Sequence, residues 1–198
     1  MADKTVDMIW VDVETTGLME GVDKILEIAL VMTDKYGEWI AGDSWLVGDV
    51  TYEDAIKRGK AHEIVGPMHD KSGLWNEWAR MRIHDPLSIR PHMVKSAILA
   101  LFEKFGAEKG KCPMAGATVH FDRKMLAAQF PELEAFFHYR NFDISTIKQA
   151  ARWHNPRCAE ADPWYAEDLV PHRGMDDCLW EIYEYKHYID NFFFVNEE

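Results

Sequence analysis

The sequence has no long hydrophobic run and an excess of acidic over basic residues. None of its apolar stretches reaches the ~18 residues that a membrane-spanning helix requires, so we expect no transmembrane segment. Lys and Arg number 22 against 34 Asp and Glu, which gives a net charge of −12. A basic surface carries most of the binding to long nucleic acids, so this balance disfavours a protein that coats them. It does not exclude a protein that handles only a few phosphates with local basic groups and bound metals.

Cysteine is also scarce. Cys112, Cys158 and Cys178 are odd in number and widely spaced, which fits reduced thiols in the cytoplasm better than a disulfide framework. His154 and Cys158 are spaced to share a helix face, but no second pair of this kind completes a zinc site. The chain has 198 residues, 47% of them hydrophobic, so we expect one domain with a substantial core over residues 1–198.

Hydrophobic patterns and turn residues predict a mixed α/β fold. The first three predicted strands are joined by short links, which indicates an antiparallel meander, and helices then alternate with strands. The predicted strands cover residues 7–14, 25–33, 38–47, 114–118 and 139–144. The predicted helices cover residues 91–105, 121–130, 132–138, 145–154 and 172–191. We therefore expect a mixed sheet, with parallel strands added to the meander, flanked by helices.

The first predicted strand contains two carboxylates. Asp12 and Glu14 are two residues apart, so both side chains leave the same face of the strand. Their neighbours Trp10, Val11 and Val13 are apolar, and two acids in such surroundings repel each other unless a cation lies between them. Oxygen-rich carboxylate clusters suit Mg²⁺ or Mn²⁺ rather than zinc. A strand edge that reaches solvent is the alternative interpretation of this pair.

Two further acids lie near predicted helix starts. Asp122 follows Phe121, and Asp177 follows His172 by five residues. Taken singly, each acid could simply favour a helix N-terminus, and His172 could be an ordinary helix-start histidine after Pro171. A strand Asp-x-Glu, a mid-chain Phe-Asp and a late His-x₄-Asp are much less expected together by chance. The joint pattern indicates a metal-dependent nuclease.

These motifs resemble the DEDDh group of 3′-to-5′ exonucleases, which have a ribonuclease H-like fold, and more narrowly the oligoribonucleases. The first motif is Asp-Val-Glu-Thr-Thr-Gly-Leu at residues 12–18. The narrower resemblance rests on Phe-His-Tyr-Arg-Asn-Phe-Asp-Ile-Ser-Thr-Ile-Lys at residues 137–148, with support from residues 131–136 and 69–74. It extends over most of the chain, from residue 8 to about residue 187.

The resemblance implies a role for each matching residue. It implies that His172 is the general base, and that two Mg²⁺ or Mn²⁺ ions are bound by Asp12, Glu14, Asp122 and Asp177. It further implies a homodimer that degrades short RNA oligonucleotides, with Tyr139 and Arg140 reaching across from the partner subunit. Leu18 would be a wedge beside the terminal bases. The residues that match groups holding the substrate, mainly through its 5′ phosphate, are His69, Tyr139, Arg140, Ser145 and Thr146.

Three positions depart from the oligoribonuclease pattern. Ile64 stands where a tryptophan that crosses the dimer interface is expected, residues 116–118 read Gly-Ala-Thr instead of Gly-Asn-Ser, and Thr15 replaces the usual methionine. The Thr-Thr-Gly run is more typical of proofreading and trimming relatives. The alternative is therefore a DEDDh exonuclease that trims longer single-stranded RNA or DNA. A non-catalytic binding protein of the same fold is disfavoured, because all five catalytic positions are filled.

The mechanism expected from these residues is hydrolysis of the last phosphodiester, with neutral His172 accepting a proton from the attacking water. The product would be a 5′ nucleoside monophosphate. Trp164 and Tyr165 could stack on bases, although aromatic residues that pack on the core explain them at least as well. Three phenylalanines at residues 192–194 are predicted to contribute packing or a dimer contact.

Overall fold

The fold is built on one five-stranded mixed sheet. The structure is a computed structural model that describes residues 5–159 and 167–193, so Trp164, Tyr165 and Phe194 lie outside the described residues. The strands are β1 (Met8–Thr15), β2 (Ile25–Thr33), β3 (Trp39–Leu46), β4 (Met114–Gly116) and β5 (Asn141–Asp143). Their order is β3-β2-β1-β4-β5, antiparallel within β1–β3 and parallel from β1 through β4 to β5. The predicted fold class is confirmed.

Helices flank this sheet. They are α1 (Glu53–Ala61), α2 (Val65–Ser72), α3 (Leu74–His84), α4 (Pro91–Lys104), α5 (His120–Gln129), α6 (Pro131–Glu134), α7 (Ile144–His154) and α8 (Gly174–Tyr188). Short 3₁₀ turns cover Val50–Tyr52 and Pro156–Cys158, and a π-helical turn covers Ile189–Phe193. In the part of the chain that the structure describes, no helix is long and apolar enough to cross a membrane.

Several predicted boundaries differ from the structure; the strand predicted over residues 114–118, for example, ends at Gly116, and the last helix ends at Tyr188. The helix predicted over residues 132–138 ends at Glu134, because Phe136 and Phe137 turn inward against the α4 side chain Phe102. The strand predicted over residues 139–144 is reduced to β5. The last helix begins two residues later than predicted, since His172 has a left-handed φ of 64° that no α-helix can include.

The two faces of the central strand β1 bury different side chains. Ile9 and Val11 belong to a core shared with helices α3, α4 and α5, whereas Trp10 belongs to a second core shared with α7 and α8. Because side chains alternate along a strand, Asp12 and Glu14 continue the face of Trp10, the face on which α8 packs. The strand thus carries its two acids toward the N-terminal end of α8.

Candidate active site

All five of the predicted catalytic side chains line one cleft. This cleft has a volume of about 240 Å³ and lies where β1, α2, α5 and the start of α8 meet. Its other walls are mainly apolar and come from Val13, Leu18, Val65, Met68 and Phe121. The polar residues that line it are Asp12, Glu14, Thr15, His69, Thr118, Asp122, His172 and Asp177. Residues separated by more than 150 positions in the sequence are therefore brought together as predicted.

A glycine allows α8 to approach the acids of β1. A Cβ atom added to Gly174 would lie 2.8 Å from the Cβ of Ala29 and 3.3 Å from Asp12 Oδ2. Such a Cβ atom would force the helix and the sheet apart. Asp12 Oδ2 is buried and has no hydrogen-bond partner among the described residues. A buried oxygen of this kind is unfavourable unless something binds it.

The backbone of β1 fixes Asp122. The pairing of β1 with β4 covers Ile9 and Trp10 and ends before Val13, so the amide of Val13 is available to another acceptor. Asp122, in the first turn of α5, accepts this amide through Oδ1 at 3.0 Å. One carboxylate oxygen is thus used to position the side chain, and the other is left for a ligand in the cleft.

The Asp177 side chain binds the backbone of His172 at the start of α8. The His172 backbone N–H donates to Asp177 Oδ2 at 2.9 Å, and the Asp177 N–H donates to the Arg173 carbonyl at 3.0 Å. The Asp177 carboxylate thus restrains the backbone of His172, whose φ of 64° is left-handed. The spacing of five residues between His172 and Asp177 allows this contact.

Arg173 anchors the same turn to the sheet. Its guanidinium donates to both carboxylate oxygens of Glu27 at 3.1 and 3.3 Å and lies 2.7 Å from Glu77 Oε2. Glu27 is buried in β2 directly opposite Glu14, so this bidentate pair lies beside the cleft. The ion pair ties the residue that follows His172 to the sheet.

The acidic side chains fit divalent cations. Ligand atoms of Glu14, His172 and Asp177 all lie within 4.8 Å of one another. Burial and the neighbouring acids raise the pKa of Asp12 and raise that of Glu14 to about 8. Burial also raises the pKa of Asp122 to about 7 and that of Asp177 to about 6. A bound cation would favour the ionised form of each group, and the oxygen-rich donors match Mg²⁺ or Mn²⁺.

His69 is buried at the edge of the cleft, next to the acids of β1. Its ring is 1% exposed, with Nε2 2.8 Å from the Thr15 carbonyl and Nδ1 3.7 Å from Glu14 Oε2. Since a carbonyl only accepts, Nε2 donates to Thr15. Trp75 packs edge-on against the ring with 5.0 Å between centroids. His69 lines the cleft beside Glu14, and its contact with the 5′ phosphate stays a prediction.

The remaining predicted substrate residues divide into two groups. Leu18 is 59% exposed and lines the cleft, as a wedge requires. Tyr139 is 73% exposed and stacks between His138, at 4.4 Å, and the guanidinium of Arg140, at 5.2 Å. Ser145 lies in contact with the cleft residue Thr118. The residues that do not themselves line the cleft are Tyr139, Arg140, Ser145 and the exposed Thr146.

The sequence analysis missed Glu181 and gave no role to two other residues close to the site. Ala117 and Thr118 form the wall between β4 and α5, and in the sequence they stood out only as a departure from the oligoribonuclease pattern. Glu181 accepts the Ala117 N–H at 2.7 Å, and burial raises the pKa of its carboxyl well above the usual range. The signal that could have found Glu181 is its spacing, because residues four apart on a helix share a face and Glu181 follows Asp177 by four.

Similarity to known proteins agrees with this geometry. An oligoribonuclease of Alcanivorax borkumensis is 34% identical over 192 residues, which are 97% of this chain and 98% of the relative. One from Nitrosomonas europaea is 33% identical over 98% of this chain and 99% of its own length. No family model matches the sequence.

Solved structures show the same fold at much lower identity. The E. coli ExoI complex with single-stranded DNA, in its zinc-bound form, superimposes with a TM-score of 0.65 at 15% identity. The superposition covers 95% of this chain and 41% of the larger protein.

The fold and the relatives together define a metal-dependent 3′-to-5′ exoribonuclease with a ribonuclease H-like fold. Within that class, the chain belongs to the oligoribonuclease family.

Proposed function

We propose that this cleft hydrolyses the last phosphodiester of very short RNA strands and releases 5′ nucleoside monophosphates. The observation that carries the proposal is the convergence of Asp12, Glu14, Asp122, Asp177 and His172 in one cleft. The apolar walls beside these residues suit the faces of unpaired bases, and Leu18 would separate the terminal pair.

We assign the metal ligands to the four acids and propose two divalent ions, Mg²⁺ or Mn²⁺. When bound, such ions acidify a water molecule and stabilise the negative charge of the leaving oxygen. The protein's contribution is the orientation of the carboxylates. Asp122 is fixed by the Val13 amide and Asp177 by the His172 amide, so each can offer its other oxygen to a cation.

His172 is the proposed general base. Its side chain is solvent-accessible at the mouth of the cleft, and its ring can lie within 4.8 Å of ligand atoms of both Glu14 and Asp177. Asp177 restrains the backbone of His172, so the backbone that carries the proton acceptor is held beside the cleft acids. The proton taken from the attacking water would pass to bulk solvent through this exposed ring.

A homodimer would complete the substrate site. Tyr139 and Arg140 form an exposed stack outside the cleft of their own chain, which supports a role in the cleft of a second copy. A guanidinium and a phenol that contact the 5′ phosphate would limit the length of the strand, because longer strands would clash with these two side chains.

The three cysteines are buried free thiols, which supports a cytoplasmic location.

The alternative function is trimming of longer single-stranded RNA or DNA ends. Ile64, at the start of α2 next to the cleft residue Val65, is 59% exposed and supplies no aromatic ring to a dimer interface. This feature would favour a more open site.

An RNA length series separates the two functions. We would measure cleavage of 5′-labelled RNAs of two to seven nucleotides with Mg²⁺ or Mn²⁺, using Asp12→Ala as the inactive control. Much faster cleavage of the dinucleotide supports the short-RNA function. Equal or faster cleavage of the heptamer supports the trimming function, and absence of metal-dependent cleavage at every length would refute both. Sedimentation of the same sample tests the homodimer.

A further inference from the structure

Glu181 is a buried carboxylate that the proposed mechanism does not use. It lies on α8, one turn after Asp177, and is 6% exposed. Its Oε1 accepts the backbone N–H of Ala117 at 2.7 Å. Its Oε2 is buried and has no hydrogen-bond partner among the described residues. Glu181 is not itself a lining residue of the cleft.

Glu181 differs from the next buried glutamate of the same helix. Glu184 has an ordinary ion pair, with Lys148 Nζ 2.6 Å from its Oε1. Glu181 forms no ion pair with any described residue, and a buried acid without a cation is unfavourable compared with an apolar side chain of similar size. Stability therefore does not account for a glutamate at this position. Its one hydrogen bond is with Ala117, which forms part of the cleft wall.

That wall is a tight loop held by side chains. Thr118 has a left-handed φ of 57°, and its backbone N–H donates to Asp143 Oδ1 at 3.1 Å and to Ser145 Oγ at 3.0 Å. The preceding amide, that of Ala117, is held by Glu181. Ala117 and Thr118 both line the cleft between β4 and α5. The loop is thus fixed from the α7 side at one residue and from α8 at the other.

We propose that Glu181 is a positioning residue that fixes the Ala117–Thr118 wall of the cleft, against which the substrate nucleotide lies. The inference rests on the proposed function, since the wall matters only if a nucleotide enters. The required property is the acceptor oxygen of Glu181, so a neutral amide should replace the carboxyl. A loose wall should weaken substrate binding more than the chemical step, because it contacts the nucleotide and none of the reacting atoms.

The test compares Glu181→Leu, which removes the acceptor but fills the space, with Glu181→Gln, which retains a carbonyl. Glu184→Leu is the matched control for loss of a buried glutamate from the same helix. For Glu181→Leu we expect KM on a short RNA to rise about tenfold while kcat changes less than about threefold, as loss of one buried hydrogen bond implies. Glu181→Gln should remain within about twofold of the wild type in both constants.

Amide hydrogen exchange gives a readout independent of activity. The Ala117 amide should exchange slowly in the wild type and in Glu181→Gln, and about tenfold or more faster in Glu181→Leu, with no change in Glu184→Leu. Unchanged KM and Ala117 exchange in Glu181→Leu would overturn the proposal, as would a glutamine variant that behaves like the leucine variant. If the wild type cleaves no RNA, the proposed function fails, while Ala117 exchange still decides whether Glu181 holds the loop.

Discussion

Two groups of buried carboxylates lie next to each other in this protein, and only one is neutralised by the chain itself. Glu27, in β2, is bound by both arms of the Arg173 guanidinium. Glu14, its direct neighbour in the sheet, belongs to the cleft together with Asp12. Among the described residues, no lysine or arginine forms an ion pair with any of the four cleft acids.

The difference separates a structural charge from a functional one. Burial of a charge is tolerated when a partner is built in, and Arg173 supplies that partner to Glu27. In the cleft, burial instead raises the pKa values of the acids, so folding favours their protonated forms. A bound cation would favour the ionised forms. Substitutions in the cleft acids and in the Glu27–Arg173 pair therefore test whether the two groups differ in this way.

The largest expected effect is the loss of a cleft acid. Asp12→Asn should reduce turnover on the order of a thousandfold or more, because a bound cation contributes several kcal/mol to the transition state. In EDTA the same variant should be as stable as the wild type or more stable, since the substitution removes a buried, uncompensated carboxyl. Turnover and thermal unfolding would be measured on the same preparation, and a destabilised Asp12→Asn in EDTA would contradict the contrast with Glu27.

The second effect concerns the base alone. His172→Ala should lower kcat by about two orders of magnitude and leave the stabilisation by divalent ions largely intact, because the four acids remain. Steady-state kinetics and unfolding with and without Mn²⁺ would measure the two quantities separately. Full activity in His172→Ala would show that another group accepts the proton.

The third effect is the loss of the ion pair between Arg173 and Glu27. Arg173→Ala should lower the free energy of unfolding by about 3–5 kcal/mol, because Glu27 becomes an unpaired buried charge. Arg173→Lys should recover only part of this loss, since an ammonium cannot make the bidentate contact. Chemical denaturation would give these values.

A matched control for Arg173 is Lys186→Ala, which removes an exposed ion pair to Glu38. It should cost less than about 1 kcal/mol. If Arg173→Ala costs no more than Lys186→Ala, the ion pair beside the cleft is not a structural support.

The last prediction concerns the pH dependence of the metal-free protein. The pKa values of Glu14, Asp122 and Asp177 are raised to about 8, 7 and 6, so the folded state binds more protons than the unfolded state above about pH 4. Stability in EDTA should therefore be greatest below about pH 4, as far as these groups determine it, and fall steadily as the pH rises from 4 toward 8.

Thermal unfolding at pH 5 and pH 8 measures this slope. Mn²⁺ should raise Tm more at pH 8 than at pH 5, because it competes with protons for the same oxygens. Asp12→Asn should have a shallower slope than the wild type. A metal-free protein that becomes more stable as the pH rises across this range would contradict the raised pKa values.

Much of the fold and the chemistry could be predicted from local sequence. The alternation in β1 predicted that Asp12 and Glu14 share a face, and the acid motifs identified the residues that the structure brings together. Boundaries were less accurate where a single backbone conformation decided them, as at His172. The position of His69 could not be predicted, because its contacts with Thr15 and Glu14 depend on how α2 packs against β1.

By itself, the sequence determined the candidate catalytic residues, the mixed sheet and the family, because these depend on spacing along the chain. Only the tertiary structure decided which acids have a cationic partner, that Tyr139 and Arg140 lie outside the cleft of their own chain, and that Glu181 holds the cleft wall. Those features depend on contacts between segments far apart in sequence. Such contacts arise from the packing of α8 and α2 against the sheet, which no local pattern encodes.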